Sequence, residues 1–123
     1  MSPVVGVGID VVDVPRFSKV VARRPSINQR VFTATEMRDT RARDERLAAR
    51  FAAKEATMKA LGVGLGATKF SDIEIVRLPS GAPSLHVYGR ASELAADLGI
   101  TRWHVSLTHT AMTASAVVVG ESA

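Results

Sequence analysis

The sequence predicts an α+β fold, an antiparallel sheet with helices packed against it, on three observations. A strand pattern opens the chain, a block of helical patterns follows, and two pairs of alternating segments complete it, with one helical stretch between the pairs. Pairs of that kind are hairpins and imply antiparallel pairing. The chain has 123 residues, enough for one compact domain over residues 1–123. That size is small for enclosing a large ligand, so a site shared between subunits is compatible with it.

Residues 3–10 place Val5, Val7 and Ile9 in alternation with Gly6 and Gly8. This reads as a strand, and its glycines predict close approach by another backbone. The strand ends on a carboxylate, Asp10. Asp13 can cap the next helix, with Pro15 in its first turn. Phe17, Val20, Val21 and Arg24 follow at helical spacing, and Pro25 closes the segment. Thr33-Ala34-Thr35-Glu36 matches a capping box and begins a short second helix. Residues 38–46 are almost wholly charged or small and read as a solvent-facing loop or frayed helix. Residues 46–61 carry a strong helical pattern, with Gly62 as C-cap and 62–66 as a glycine-rich turn. Ile73 and Ile75 then alternate with polar neighbours through Arg77. Residues 79–83 turn the chain, and Leu85 and Val87 lie on the returning strand. Residues 90–98 read as a helix ended by Gly99. Trp103, Val105 and Leu107 alternate again, and residues 114–119 form the last strand.

Composition removes several classes. There is no cysteine, which excludes a disulfide framework, a cysteine nucleophile and thiolate metal sites. No apolar stretch approaches the roughly 20 residues that span a bilayer, and the first residues lack a secretory pattern, so the expected location is cytoplasmic. The net charge is +4, and twelve of the sixteen Lys and Arg residues lie between Arg16 and Lys59. A broad basic region attracts phosphates, nucleic acid or an acidic protein, or it is simply a solvated surface.

The helix over residues 46–61 concentrates the chemistry. At about 100° per residue, Leu47, Phe51, Met58 and Leu61 form one apolar stripe, with Lys54 inside it and Glu55 and Lys59 on its flank. A lysine among core positions needs its ammonium to escape or to meet an anion. Glu55 and Lys59 also have the spacing of an ordinary helix ion pair. Two carboxylates from separate elements, Asp10 and Glu55, can hold Mg²⁺, and nearby lysines can neutralise phosphate oxygens. That set suits phosphoryl or phosphodiester chemistry, although spacing alone does not bring Asp10 to Glu55. The glycine turn matches neither a P-loop nor a dinucleotide fingerprint. Ser106 and His109 lack a nucleophile-elbow context. His86, His104 and His109 lack zinc spacing, and the first two read as strand-surface histidines. A basic nucleic-acid-binding module is the competing class. Only Phe17, Phe32 and Phe51 lie among the charges to stack on bases, and that reading leaves Asp10 and Glu55 without a role.

Four segments, in order and at matching separations, resemble one family. They are Gly8-Ile9-Asp10 with Arg16-Phe17; Arg50-Phe51-Ala52-Ala53-Lys54-Glu55-Ala56 with Lys59-Ala60-Leu61-Gly62; Gly81-Ala82-Pro83; and His104-Val105-Ser106-Leu107-Thr108-His109-Thr110. Together they resemble the holo-[acyl-carrier-protein] synthases, the small single-domain class of 4′-phosphopantetheinyl transferases, over about residues 4–121. Residues 38–46 match nothing in that pattern. The resemblance implies the fold of that family. It also implies transfer of the 4′-phosphopantetheine arm of coenzyme A to a serine of an apo acyl carrier protein, or of a carrier domain of a fatty acid synthase. Adenosine 3′,5′-bisphosphate is released, Mg²⁺ is used, and the setting is fatty acid biosynthesis. It implies that Asp10 and Glu55 bind the metal and that Asp10, Glu55 and Lys59 are catalytic, with Glu55 or a metal-bound water taking the serine proton. Lys59 would hold phosphate oxygens, with Lys54 and Arg50 as further phosphate ligands. Gly62 would let the ligand approach the backbone, Gly81 and Pro83 would border the adenine, and His109 would approach the 3′-phosphate. It implies a homotrimer with sites between subunits and no nucleic-acid or membrane partner. The first helix, with Arg16, Lys19, Arg23 and Arg24, would dock the acidic carrier, and Phe17 and Val20 would offer apolar contact unless, as is expected of at least one of them, they are buried in the core.

Overall fold

The computed structural model describes residues 3–123. In chain order the elements are β1 (Val4–Asp13), α1 (Val14–Arg23), α2 (Ser26–Val31), α3 (Ala34–Thr40), α4 (Asp44–Ala60), a 3-10 turn (Phe70–Asp72), β2 (Ile73–Arg77), β3 (Pro83–Val87), α5 (Gly89–Leu98), β4 (Ile100–His109) and β5 (Thr113–Ser122). The strands form a three-stranded sheet in the order β1-β5-β4 and a two-stranded sheet of β2 and β3. Every pairing is antiparallel, as the hairpin pattern requires, and β3 lies beside β4.

Helix α4 is the centre of the molecule. It crosses β1 and β5 and also touches β4, β2, α1 and α3. Its burial is wider than a single apolar stripe, because Ala48, Ala49, Ala52, Ala53, Ala56 and Ala60 are buried alongside Leu47 and Met58. Alanines favour the helix and let it approach the sheet closely. The close approach occurs at the two glycines of β1. A Cβ on Gly8 would collide with the Ala56 carbonyl oxygen and sit 2.7 Å from its carbon. One on Gly6 would collide with the Ala60 carbonyl in the same way. The sequence expectation of a close backbone at these glycines is met by α4.

The core has an α1–α2–α4 part, with Val14, Phe17, Val31, Phe32 and Leu47, and a part beneath β2 and α5, with Ala52, Met58, Ile73, Ile75 and Ala91. Phe17, Phe32, Phe51 and Phe70 make a chain of ring contacts at 5.4–6.3 Å between centroids. Caps stand where the sequence places them. The Arg16 backbone N–H donates to Asp13 Oδ1 at 2.9 Å. Thr33 and Glu36 form the reciprocal capping box. Gly62 follows the C-cap Leu61 with φ 73°, and Gly99 ends α5 with φ 76°.

Three boundaries differ from the sequence reading. β1 continues to Asp13, because its pairing with β5 persists through Asp13↔Thr113, so Asp10 lies within the strand. Pro25 opens α2, a helix without a clear sequence pattern. Residues 38–46 are not an extended loop. α3 runs to Thr40 and α4 starts at Asp44, leaving three residues between them. That tight connection places Arg41 and Ala42 in the left-handed region, both at φ 54°.

The sheet face opposite α4 is bare. Val5, Val7, Ile9 and Val11 of β1 point outward with Val117 of β5, and Ile9 and Val11 are more than 60% exposed. Cross-strand register aligns Ile9 with Val117 and Ser106, and Val7 with Val119 and His104. Among the described residues no helix is long and apolar enough to cross a membrane.

Gly8→Ala is expected to destabilise the fold by about 3 kcal/mol, the upper end of overpacking penalties, because the added methyl meets main chain. Chemical denaturation checks this, and an unchanged midpoint would contradict the contact.

Candidate active site

The glycine contact positions the first reactive group. Gly8 lies under Ala56. Asp10, two residues along β1 from Gly8, and Glu55, the residue before Ala56, therefore converge at the same edge of α4. The Glu55 pKa is raised, first by burial and then by the charge of Asp10 and a side-chain hydrogen bond to it, with Lys59 pulling the other way. The two carboxyls line the same cleft, near enough to act on one another, with Lys59 as the cation beside Asp10. Lys59 does not form the intrahelical pair its spacing allows. Its Nζ lies 3.2 Å from Asp10 Oδ1 and donates to the Ile9 carbonyl at 2.9 Å. Ser115 Oγ fixes the strand here by donating to the Asp10 carbonyl at 3.0 Å.

This oxygen donor set fits a hard divalent cation. Mg²⁺ keeps several waters and is commonly held by one or two carboxylates together with substrate phosphate oxygens, and a cation between the two would relieve the part of the Glu55 shift that, after burial, the charge of Asp10 causes. Among the described residues no group of three or more His, Asp or Glu side chains is arranged as a complete protein cage. Asp10 and Glu55 line a cleft of about 590 Å³ with Arg16, Val20 and Phe51. Arg16, Lys19 and Arg23 are exposed on α1, and Arg24 is exposed at its C-cap. Phe17 is buried in the core at 9% exposure, whereas Val20 is 43% exposed beside the cleft.

A second cleft, of about 460 Å³, is lined by Arg46, Arg50, Arg77, Gly81, Pro83 and His109. The structure therefore brings Arg50, Gly81, Pro83 and His109 together, but apart from Asp10 and Glu55: the two clefts share no lining residue. Arg50 is only 8% exposed, and its Nε has no hydrogen-bond partner among the described residues. Burial lowers its pKa, with Glu36 and Asp39 opposing. A buried guanidinium with an unused donor beside Arg46 and Arg77 is a site for an anion. Arg46 and Arg77 were not singled out from the sequence. Arg46 stands one turn before Arg50 on α4 and was legible as its neighbour. Arg77 joins only through the β2–β3 hairpin.

Gly62 is exposed beyond the end of α4, with open space around its Cα, and lines neither cleft. Lys54 requires a correction. It is fully buried, and its ammonium pairs with Glu36 Oε1 at 2.8 Å and donates to the Phe70 and Ile73 carbonyls. All three of its protons are engaged, so it is neither a phosphate ligand nor a packed stem with an exposed head. Burial lowers its pKa and Glu36 opposes that shift. Sequence reasoning missed Glu36 as the partner, because the capping box already accounted for it.

The 4′-phosphopantetheinyl transferase superfamily model matches residues 6–113. The chain belongs to that superfamily. A holo-[acyl-carrier-protein] synthase of Frankia casuarinae is 54% identical over 119 residues, 97% of this chain and 98% of the relative. One of Frankia alni is 50% identical over the same coverage. The crystal structure of the Helicobacter pylori holo-[acyl-carrier-protein] synthase in complex with coenzyme A superposes with a TM-score of 0.84 at 34% identity, covering 93% of this chain and 98% of that one. The antiparallel α+β architecture of the transferase family is thus the architecture of this chain.

The raised Glu55 pKa carries a sign. A carboxyl whose folded pKa exceeds its unfolded value favours folding most below the unfolded pKa, and that contribution is lost as pH rises through the folded pKa. In metal-free buffer, Glu55→Gln is therefore expected to be more stable than the parent at neutral pH. The gain should disappear below about pH 4, where an ordinary carboxyl is protonated. Melting curves across pH test this, and a variant less stable at neutral pH would contradict the repulsion.

Proposed function

We propose that this protein transfers the 4′-phosphopantetheine arm from coenzyme A to a serine of an apo acyl carrier protein, releasing adenosine 3′,5′-bisphosphate. The convergence of Asp10 and Glu55 on one cleft, with Lys59 at 3.2 Å from Asp10 and a basic helix alongside, carries the reading. Membership of the transferase superfamily and the printed activity of the relatives support it. The nucleic-acid-binding alternative has no such support and leaves the carboxyl pair without a task.

Asp10 and Glu55 would hold Mg²⁺, which supplies charge neutralisation to the pyrophosphate oxygens when bound. Lys59 adds a positive charge at the same edge, suited to a phosphate oxygen. The serine oxygen attacks the phosphorus that carries the pantetheine arm. The bond to the bridging oxygen breaks, and adenosine 3′,5′-bisphosphate leaves with that electron pair. Glu55, a carboxylate at the same edge, would receive the serine proton. In the second cleft Arg50, with its unused Nε, takes the 3′-phosphate together with His109, and Gly81 and Pro83 border the adenine.

Two clefts that share no residue, and a bare apolar face on β1 and β5, are what a site divided between subunits requires. We infer a homotrimer in which that face is covered by other copies. The exposed row Arg16, Lys19, Arg23 and Arg24 steers an acidic carrier, with Val20 as the apolar contact. The enzyme acts in the cytoplasm, in fatty acid biosynthesis.

Incubation with coenzyme A, Mg²⁺ and an apo carrier protein should add one phosphopantetheine mass to the carrier, and no transfer to any of several carriers would overturn the reading. Asp10→Asn and Glu55→Gln should remain folded, lose transfer by on the order of 10²-fold or more, and lose the rise in melting temperature that Mg²⁺ gives the parent protein. Full activity in either variant would contradict its role. Ile9→Lys, which buries a charge in the inferred interface, should sediment as a smaller species than the parent, and an unchanged mass would remove the assembly argument.

A further inference from the structure

Lys54 is the largest fully buried side chain in the protein, and the proposed reaction gives it no task. Its ammonium joins four elements: Glu36 of α3 at 2.8 Å, the Phe70 carbonyl of the 3-10 turn at 3.0 Å, the Ile73 carbonyl of β2, and the Phe32 ring after α2 with its centroid at 5.8 Å. Glu36 is equally committed. Oε1 accepts from the Thr33 backbone N–H at 3.0 Å as well as from Lys54, and Oε2 accepts from the Ile75 backbone N–H at 2.9 Å. One turn along α3, Asp39 Oδ2 accepts from the Arg77 backbone N–H at 2.9 Å. Helix α3 thus closes the free edge of β2 with two carboxylates on alternate amides, and one of them also anchors α4.

A buried ion pair is a poor stabiliser in itself, because desolvation of both ions offsets most of their attraction, and apolar residues of similar volume do as well. What the pair supplies here is direction. Lys54 lies between the two functional faces of α4: Glu55 is the next residue, and Arg50 is one turn earlier. The segment it holds, β2, ends on Arg77, whose amide Asp39 fixes. Rotation of α4 about its axis, or a slip of β2 along α3, would move Arg50 and Arg77 apart and draw Glu55 from Asp10. The glycine contact sets the depth of α4 on the sheet. A contact on its other side is needed to set rotation.

We propose that Glu36 and Lys54 are a positioning pair, which acts through α4 and β2 to align the arginine cleft for the phosphates of coenzyme A while keeping Glu55 on Asp10. Neither residue touches substrate. This rests on the transferase reading for its substrate, but its first readout does not depend on turnover.

The test uses two variants in the full chain. Glu36→Gln with Lys54→Met removes both charges and leaves no unpaired ion. Glu36→Asp keeps the charge but withdraws the carboxylate by one methylene, so that it cannot reach Lys54 and the Ile75 amide together. Both are assayed below their melting midpoints, with folding checked by circular dichroism. Coenzyme A binding is measured by calorimetry, and transfer is measured with the carrier varied. Each folded variant is expected to bind coenzyme A about tenfold more weakly, the usual scale for removing a partner that orients a ligand, with a carrier KM within about twofold of the parent. If the double variant does not fold, Glu36→Asp decides alone. Parent-like coenzyme A affinity and kcat in a folded variant would overturn the proposal and leave the pair a purely structural one. Equal weakening toward coenzyme A and carrier would also overturn it, as a general loosening rather than alignment. A parent that binds coenzyme A but transfers nothing would reject the transferase reading and leave the positioning test standing on affinity. A parent that does not bind coenzyme A would overturn both.

Discussion

The architecture depends on the passage of α4 over Gly6 and Gly8. A helix normally stands off a sheet by the depth of its side chains. Here the side chains are removed from both sides, as glycine in β1 and alanine in α4, and main chain meets main chain. The consequence is chemical as well as mechanical. Side chains at the margin of such a contact are drawn together, and the marginal residues are Asp10, Glu55 and Lys59. Two carboxyls near enough to act on one another would be a liability in a purely structural helix. At the edge of a cleft they are a charge imbalance available to a cation.

Three carboxylates on this chain have three fates, set by their surroundings. Glu36 is wholly enclosed and satisfied by two amides and an ammonium. Glu55 is half-buried against a like charge and holds its proton more tightly than an ordinary carboxyl. Asp39 is spent on a backbone amide at the edge of β2. The lysines divide in the same way, Lys54 inward to carbonyls and Lys59 outward to Asp10. Five positions of separation on one helix, with only the packing on either side different, turn one lysine into an anchor and the other into part of the site.

Much of this was legible in the sequence, and the limits have physical causes. The hairpins, the Asp13 cap, the Thr33–Glu36 box and the glycine approach are local or pairwise signals, and each stands where it was read. The family segments led to the right superfamily. An apolar stripe with one lysine leaves open whether the Lys54 head escapes or meets an anion; it meets Glu36, eighteen residues away, and so is not the phosphate ligand that the resemblance implies. Residues 38–46 read as a loop or frayed helix because their charged residues show no apolar period; most of them are helical, and the ends of α3 and α4 go with burial of Glu36, Thr40 and Leu47. The division of the expected site residues between two clefts is invisible from spacing: the β2–β3 hairpin and β4 bring Gly81, Pro83 and His109 to one, β1 and α1 bring Asp10 and Arg16 to the other, and α4 gives Arg50 to the first and Glu55 to the second.

The central claim is that the glycine contact assembles Asp10 and Glu55 into a divalent-cation site. Paramagnetic broadening of backbone amide signals by Mn²⁺, standing in for Mg²⁺, tests it most directly. The first signals lost are expected around Asp10 and Glu55, excess Mg²⁺ should restore them, and Glu55→Gln should abolish the effect. Broadening that begins elsewhere on the chain, or that survives in Glu55→Gln, would contradict it.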